Sequence, residues 1–114
     1  MLTVDALRNL GADVDDGIRR CVNNEAFYLK MVGKALPDLR TEELKTALAA
    51  GDLARAFEIC HTLKGVLANL SLTPALVPVS EMTELLRART SMDYGPMAAR
   101  LDEEFGKLRA LADS

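Results

Sequence analysis

The chain has 114 residues, of which 49% are hydrophobic and 27% are charged, a composition that supports one hydrophobic core, so we expect a single domain over residues 1–114. The formal net charge is −3, and charges of both signs are interspersed, so the basic cluster typical of nucleic-acid-binding proteins is missing. The composition therefore favours a protein partner or a small ligand over nucleic acid.

The ends and the cysteines predict a cytoplasmic location. The first residues, MLTVDALRNLG, are too polar for a secretory signal, and no apolar run approaches the roughly 18 residues that a membrane span needs. Cys21 and Cys60 are far apart in the sequence and lie in helical patterns, which is typical of reduced thiols. We expect no contact with a membrane.

The first half of the chain predicts short helices and no strand, because apolar residues recur at spacings of three and four and almost never alternate. Two helices are expected over residues 4–10 and 15–22, followed by a helical segment over residues 24–36. Its buried face is expected to carry Phe27, Met31, Val32 and Ala35.

The middle of the chain predicts a helical hairpin. Pro37 opens or kinks a further turn into residues 38–50. Gly51 is typical of the residue that follows a helix, and Asp52 of the residue that caps the next one. A long helix is therefore expected over residues 53–70.

The last third contains two prolines four residues apart, Pro74 and Pro78. Since a proline inside a helix costs about 3 kcal/mol, we expect an irregular first turn and a regular helix only over residues 78–89. A final helix is expected over residues 96–111. Helices joined by short connections predict an all-α fold, an antiparallel four-helix bundle with short additional N-terminal helices.

His61, the only histidine, lies in the long helix and is predicted to face solvent. At about 100° per residue, it lies about 130° from the centre of the apolar stripe of that helix. A surface histidine is most often only a surface residue, so its neighbours must decide its role. The stripe consists of Leu53, Ala56, Cys60, Leu63, Leu67 and Leu70.

Two neighbours of His61 favour a functional site. Lys64, three residues on, can pair with an anion bound to the imidazole, although most helix lysines are only solvated. Gly65, four residues on, costs about 1 kcal/mol relative to alanine inside a helix and does not serve the apolar stripe. That cost is explained if another molecule must approach the backbone beside His61.

The surface around His61 is predicted to be flat and partly apolar. Ala54 and Ala68 continue the strip of small side chains, and Phe57, one turn before His61, offers a partly exposed apolar contact. A flat surface suits docking by another protein better than it suits binding of a small molecule in a pocket.

These residues resemble the signature of histidine-containing phosphotransfer (HPt) domains of bacterial multistep phosphorelays. The motif HTLKG is followed by ANL, and AGD at residues 50–52 precedes the helix where such domains commonly have it. The resemblance extends loosely over the whole chain. In two places the chain departs from the family, which usually has a small residue, often glycine, at Ala68 and glycine at Ser71. The signature comprises His61, Lys64, Gly65, Asn69 and Leu70.

The resemblance implies a phosphorelay intermediate. His61 would accept a phosphoryl group on Nε2 from the aspartyl phosphate of a receiver domain and pass it to another receiver. Lys64 would stabilise the charge of the transferred group, and Gly65 would give the partner clearance. The partners would be the receiver of a hybrid histidine kinase, response regulators, or both. The partner-binding surface would comprise Ala54, Phe57, Glu58, Ala68 and Asn69.

The same resemblance implies no cofactor of the chain's own, since Mg²⁺ is expected on the partner receiver. No Gly-rich nucleotide-binding loop is present, so we expect no ATP-dependent kinase activity. Glu58, three residues before His61, is a candidate acceptor of a hydrogen bond from Nδ1–H, which would leave Nε2 as the nucleophile.

Two other classes of function are alternatives. A helical scaffold could bind a receiver without phosphotransfer; intact His61, Lys64 and Gly65 argue against it, whereas Ser71 and the two prolines leave it open. A metalloenzyme or hydrolase is disfavoured, because one histidine and two distant cysteines give no ligand cluster at plausible spacing. We therefore expect no metal site.

Overall fold

The computed structural model describes residues 2–113, and this part of the chain is helical without a strand. The all-α prediction is thus confirmed. The helices are α1 (Val4–Asn9), α2 (Val14–Arg20), α3 (Glu25–Ala35), α4 (Thr41–Ala49), α5 (Leu53–Asn69), α6 (Thr73–Arg87) and α7 (Gly95–Asp113), with a 3₁₀ turn at Leu36–Asp38 between α3 and α4.

Polar side chains fix the starts of four helices, because each accepts a hydrogen bond from a backbone N–H that has no partner inside its helix. Gly51 lies in the α4–α5 connection with φ +70°, and Asp52 caps α5 by accepting from the Arg55 amide at 3.1 Å. The predicted hairpin hinge is confirmed. The other three caps are Thr3, Asp13 and Asn24.

Helix α5 lies between α4 and α6, and α7 packs against α6 and against the 3₁₀ turn. Contacts between α4 and α7 are polar: Lys45 pairs with Asp102, and Arg109 donates to the Thr41 hydroxyl at 2.8 Å. Helix α5 therefore has one face against its neighbours, and its other face, which carries the exposed Ala54, Glu58 and His61, lies toward solvent.

The predicted apolar stripe of α5 is the face that enters the core. Of its six residues, only Leu53 is half-buried, and the others are at most 6% exposed. Ile59 is also fully buried and was not part of the predicted stripe. Cys60 approaches Met82 of α6, with the two sulfur atoms 3.5 Å apart.

The prediction for the buried face of α3 is wrong in one respect. Phe27 remains 42% exposed, and Tyr28 is fully buried in its place. The Tyr28 hydroxyl donates to the Leu70 carbonyl at 2.9 Å, and the absence of a side chain at Gly17 leaves room for the ring. The end of α5 and helix α2 therefore determine which face of α3 is buried.

The prediction of an irregular start to α6 is also wrong. The helix begins at Thr73 and continues through Pro78. Pro74 lies in the first turn, where a backbone N–H would have no helical partner. Pro78 is buried in the interior of the helix, and its cost of about 3 kcal/mol is offset by burial of Val79 and Met82 on the same element.

Ser71 ends α5 in the left-handed conformation, with φ +53°. The Leu72 amide donates to the Leu67 carbonyl at 3.0 Å, and the Ser71 amide donates to the Ala68 carbonyl at 3.1 Å. This pair of bonds is the helix ending that glycine usually forms. Ser71 also donates through its hydroxyl to Asp16 at 2.6 Å, which ties the end of α5 to α2.

No helix in the described part of the chain has both the length and the hydrophobicity needed to cross a membrane. Cys21 and Cys60 are free and buried, and burial raises the pKa of the Cys60 thiol to about 12. That thiol is therefore protonated and unreactive at neutral pH.

Candidate functional site

His61 lies near the middle of α5 with its side chain exposed, as predicted. Cys60, the preceding residue, is fully buried, and α5 is packed between α4 and α6. The imidazole is therefore carried on a part of the helix that packing holds in place, while its ring remains accessible. An accessible side chain on a rigid element is what a nucleophile for a docking partner requires.

One side of His61 is bare. At about 100° per residue, Glu58, Gly65 and Asn69 turn to the same side of the histidine, and all three are exposed. A Cβ atom built on Gly65 would meet no atom within 4 Å beyond its local helix. Ala54 is exposed and Ala68 is half-buried, so small residues lie above and below the ring along the helix.

The other side of His61 faces α6 and is crowded. The Phe57 ring stacks on the imidazole, with centroids 5.5 Å apart and planes inclined by 18°. The guanidinium carbons of Arg87 and Arg89 lie 5.0 Å and 5.6 Å from the centroid of the Phe57 ring, within the range of cation–π attraction. Phe57 thus connects the histidine to two cations contributed by α6 and its C-terminal end.

Lys64 also points toward α6. Its ammonium lies 3.5 Å from Glu84, and the other carboxylate oxygen of Glu84 lies 3.2 Å from the Arg87 Nε. The Arg87 guanidinium, and to a smaller extent the Lys64 ammonium, hold the pKa of Glu84 below its usual value. Glu84 is therefore ionised at neutral pH and is shared by the two cations.

Glu58 does not make the hydrogen bond that the sequence suggested. Within the described residues, its contact is through the backbone carbonyl, which accepts from the Thr62 hydroxyl at 3.0 Å, and no hydrogen bond joins its carboxylate to His61. The structure thus brings Glu58 to the same exposed surface without giving it a role in selecting the imidazole tautomer.

Sequence reasoning missed three charged residues of this site, namely Glu84, Arg87 and Arg89. The spacing of three residues between Glu84 and Arg87 is typical of an ion pair on one helix and is the signal that could have found them. Only the register of α6 against α5 places this pair beside His61.

The described residues contain no cluster of three histidine, cysteine or acidic side chains that could hold a metal ion. Two grooves are lined by other parts of the chain, one around residues 45–53 and 90–102, the other around residues 37–43 with Arg109. His61 lines neither of these two grooves.

A scan against protein families matches the Hpt domain over residues 34–111, which is more than half of the chain. No curated protein and no solved structure matches the sequence at a significant level. Hpt domains are phosphotransfer carriers of phosphorelays and have no kinase activity of their own. The matched segment contains α4 to α6, most of α7, and with them the exposed histidine and its neighbours, and the chain therefore belongs to the Hpt domain family.

Proposed function

We propose that this chain is a phosphorelay intermediate in which His61 takes a phosphoryl group from the aspartyl phosphate of one receiver domain and gives it to the aspartate of another. The observation that supports this most directly is the exposed imidazole beside the open space at Gly65, within the segment that matches the Hpt family. We further propose that residues 1–114 form one domain in which α4 to α7 are its four-helix bundle.

The transfer step requires few functional groups from this chain. In the neutral imidazole with its proton on Nδ1, the Nε2 lone pair attacks the phosphorus of the acyl phosphate. The N–P bond forms while the P–O bond to the receiver's carboxylate breaks, and the carboxylate leaves with the bonding electrons. The phosphorylated ring carries the positive charge and keeps its Nδ1 proton. Positioning and charge neutralisation are the main contributions a protein makes to such a transfer.

Each neighbour of His61 has a distinct part in this proposal. Lys64 supplies positive charge to the phosphoryl oxygens, and Gly65 leaves space for the receiver's loops. Ala54, Ala68 and the exposed Asn69 extend that contact along α5. Phe57 contacts both the imidazole and the partner.

The partner would supply the remaining components. A receiver of a hybrid histidine kinase, a response regulator, or both in turn would bring Mg²⁺ to neutralise the equatorial oxygens, and this chain would hold no cofactor itself. The absence of an ATP-binding loop in the sequence supports a carrier without kinase activity. We place the reaction in the cytoplasm.

Transfer profiling tests this proposal. The purified chain is mixed with each phosphorylated receiver of the source organism, and movement of ³²P to the chain is followed with time. The proposal predicts rapid labelling by a small subset of receivers, and no labelling of His61→Gln, whose helical content by circular dichroism should match that of the wild type.

The competing hypothesis is a scaffold that binds a receiver without taking its phosphoryl group. It predicts equal receiver affinity for the wild type and His61→Gln, with no phosphohistidine in either. Binding by calorimetry together with the labelling assay separates the two, since labelled wild-type protein would reject the scaffold.

A further inference from the structure

The charges on the α6 side of His61 are unevenly matched. Lys64, Arg87 and Arg89 bring three cations to the neighbourhood of the imidazole, whereas Glu84 is the anion that pairs with two of them. Arg89 also donates a hydrogen bond to the Leu86 carbonyl at 2.7 Å. Among the described ion pairs, the one that Lys64 makes is with Glu84.

A phosphoryl group on His61 would change this balance. Such a group carries between one and two negative charges at neutral pH, with oxygens that accept strong hydrogen bonds from cations. It would arrive one helical turn from Lys64, on a surface that already holds the carboxylate of Glu84. The phosphoryl oxygens and Glu84 would then compete for the same ammonium group.

We propose that Glu84 is a positioning residue that holds Lys64 until the phosphoryl group displaces it, and so limits how tightly the phosphorylated state of His61 is held. This inference rests on the proposed function, in which Lys64 serves the transferred group. Glu84 is then a residue of the site contributed by α6, and its effect is opposite to that of Lys64.

The contacts indicate that Glu84 lowers the stability of the phosphorylated histidine. With Glu84 present, the Lys64 ammonium is already paired with a carboxylate, so less of its positive charge is available to the phosphoryl oxygens. This pairing lowers the stability of the phosphorylated ring and favours onward transfer. Glu84 and Lys64 are 58% and 37% exposed, so solvent screening limits the effect to about two- to five-fold.

The test compares Glu84→Gln with Glu81→Gln. Glu81 lies on the same helix three residues earlier and pairs with Arg100 of α7 at 3.5 Å, away from His61, which makes it a matched control. Each protein is phosphorylated with potassium phosphoramidate, which requires no receiver. Loss of the label is followed by ³¹P NMR. In that loss, water attacks phosphorus, the N–P bond breaks with its electrons returning to Nε2, and inorganic phosphate is released.

The proposal predicts that the phosphohistidine of Glu84→Gln survives about two- to five-fold longer than that of the wild type, while Glu81→Gln matches the wild type. The difference should shrink as the salt concentration rises from about 0.05 M to about 0.5 M, because salt screens exposed charges. It should also vanish when Lys64 is replaced by methionine in both proteins, since the coupling passes through that ammonium.

An equal lifetime in Glu84→Gln and Glu81→Gln would overturn the inference, as would an increase that persists without Lys64. These results are independent of the relay itself. If phosphoramidate labels His61 but no receiver exchanges with it, the proposed function fails while the lifetimes still decide the role of Glu84. Failure of phosphoramidate to label His61 would overturn both.

Discussion

Gly65 lies one helical turn after His61 on the exposed face of α5, and the space that its side chain would occupy is empty to a distance of 4 Å. The fold of this chain does not need that space, because alanine would fit and would favour the helix. A glycine there costs about 1 kcal/mol relative to alanine. In the proposed function, a partner that approaches the backbone would explain why the cost is tolerated.

The first prediction concerns Gly65→Ala. We expect this variant to be more stable than the wild type by about 0.5–1 kcal/mol, because alanine is the better helix former. We expect phosphoryl transfer from a receiver to be slower, because the new methyl group fills the approach beside His61. Urea denaturation measures the first effect, and rapid-quench labelling measures the second.

Gly106→Ala is the matched control. Gly106 is an exposed glycine in the interior of α7, and a Cβ there would also meet nothing within 4 Å. The Gly106→Ala variant should gain about as much stability as Gly65→Ala and should keep the wild-type rate of phosphoryl transfer. Equal transfer rates in the two alanine variants would show that Gly65 has no role in docking.

The second prediction concerns the end of α5. Ser71 adopts a left-handed conformation that glycine accepts at lower cost, and its hydroxyl binds Asp16. Ser71→Ala loses that bond and keeps the strain, whereas Ser71→Gly loses the bond and relieves the strain. We expect Ser71→Ala to be less stable than the wild type and less stable than Ser71→Gly by about 1 kcal/mol. Thermal or urea denaturation of the two variants gives the ranking, and the reverse order would contradict this account of the helix ending.

The third prediction concerns Gly17, where the backbone of α2 approaches Tyr28 closely. A Cβ there would lie 2.8 Å from the Cζ atom of Tyr28 and 2.9 Å from the Leu70 carbonyl oxygen. Gly17→Ala should therefore displace the ring and destabilise the protein by about 1–3 kcal/mol, despite the better helix propensity of alanine.

Gly33→Ala provides the comparison for Gly17→Ala, because a Cβ at Gly33 of α3 would meet nothing within 4 Å. It should leave stability unchanged or raise it. Denaturation curves that show no loss for Gly17→Ala would mean that α2 does not pack against Tyr28 as described.

The fourth prediction is a dependence of stability on pH. The Ser71 hydroxyl, followed by Arg20 and Arg19, lowers the pKa of Asp16 from 3.8 to about 2. A carboxyl group whose pKa is lower in the folded state contributes stability above its unfolded pKa and loses that contribution as the pH falls toward the folded value. The wild type should therefore exceed Asp16→Asn in free energy of unfolding by a constant amount above about pH 5, and this difference should decrease between about pH 4 and pH 2.

Urea denaturation of the wild type and Asp16→Asn at a series of pH values checks this dependence. Free energy of unfolding is plotted against pH for each protein. Subtracting one plot from the other removes the contribution that the remaining carboxylates make to the pH dependence. A difference that stays the same from pH 6 down to pH 2 would contradict the assigned role of Asp16.

The sequence predicted the parts of this fold that depend on local signals. The hinge at Gly51 and Asp52 and the long helix α5 are confirmed, because caps and apolar periodicity act within a few residues. The exposure of His61 could be predicted for the same reason: it follows from the position of the apolar stripe on a single helix.

Features that depend on tertiary packing could not be predicted in this way. Tyr28 replaces Phe27 in the core because the end of α5 offers its hydroxyl an acceptor and Gly17 of α2 leaves room for its ring. Pro78 continues α6 because burial offsets its cost. The ion pair of Lys64 with Glu84 requires the register between α5 and α6. Its two members are 20 residues apart, and periodicity within one helix gives no information on that register.

The most direct test of the account is the position of the phosphoryl group after reaction with a phosphorylated receiver. Heteronuclear ³¹P–¹H NMR of the labelled chain, supported by peptide mapping under alkaline conditions, identifies the atom that carries phosphorus. The account predicts one phosphorylated residue, His61, with the N–P bond at Nε2. A phosphoryl group on any other side chain, or a receiver that binds and never transfers its label, would contradict it.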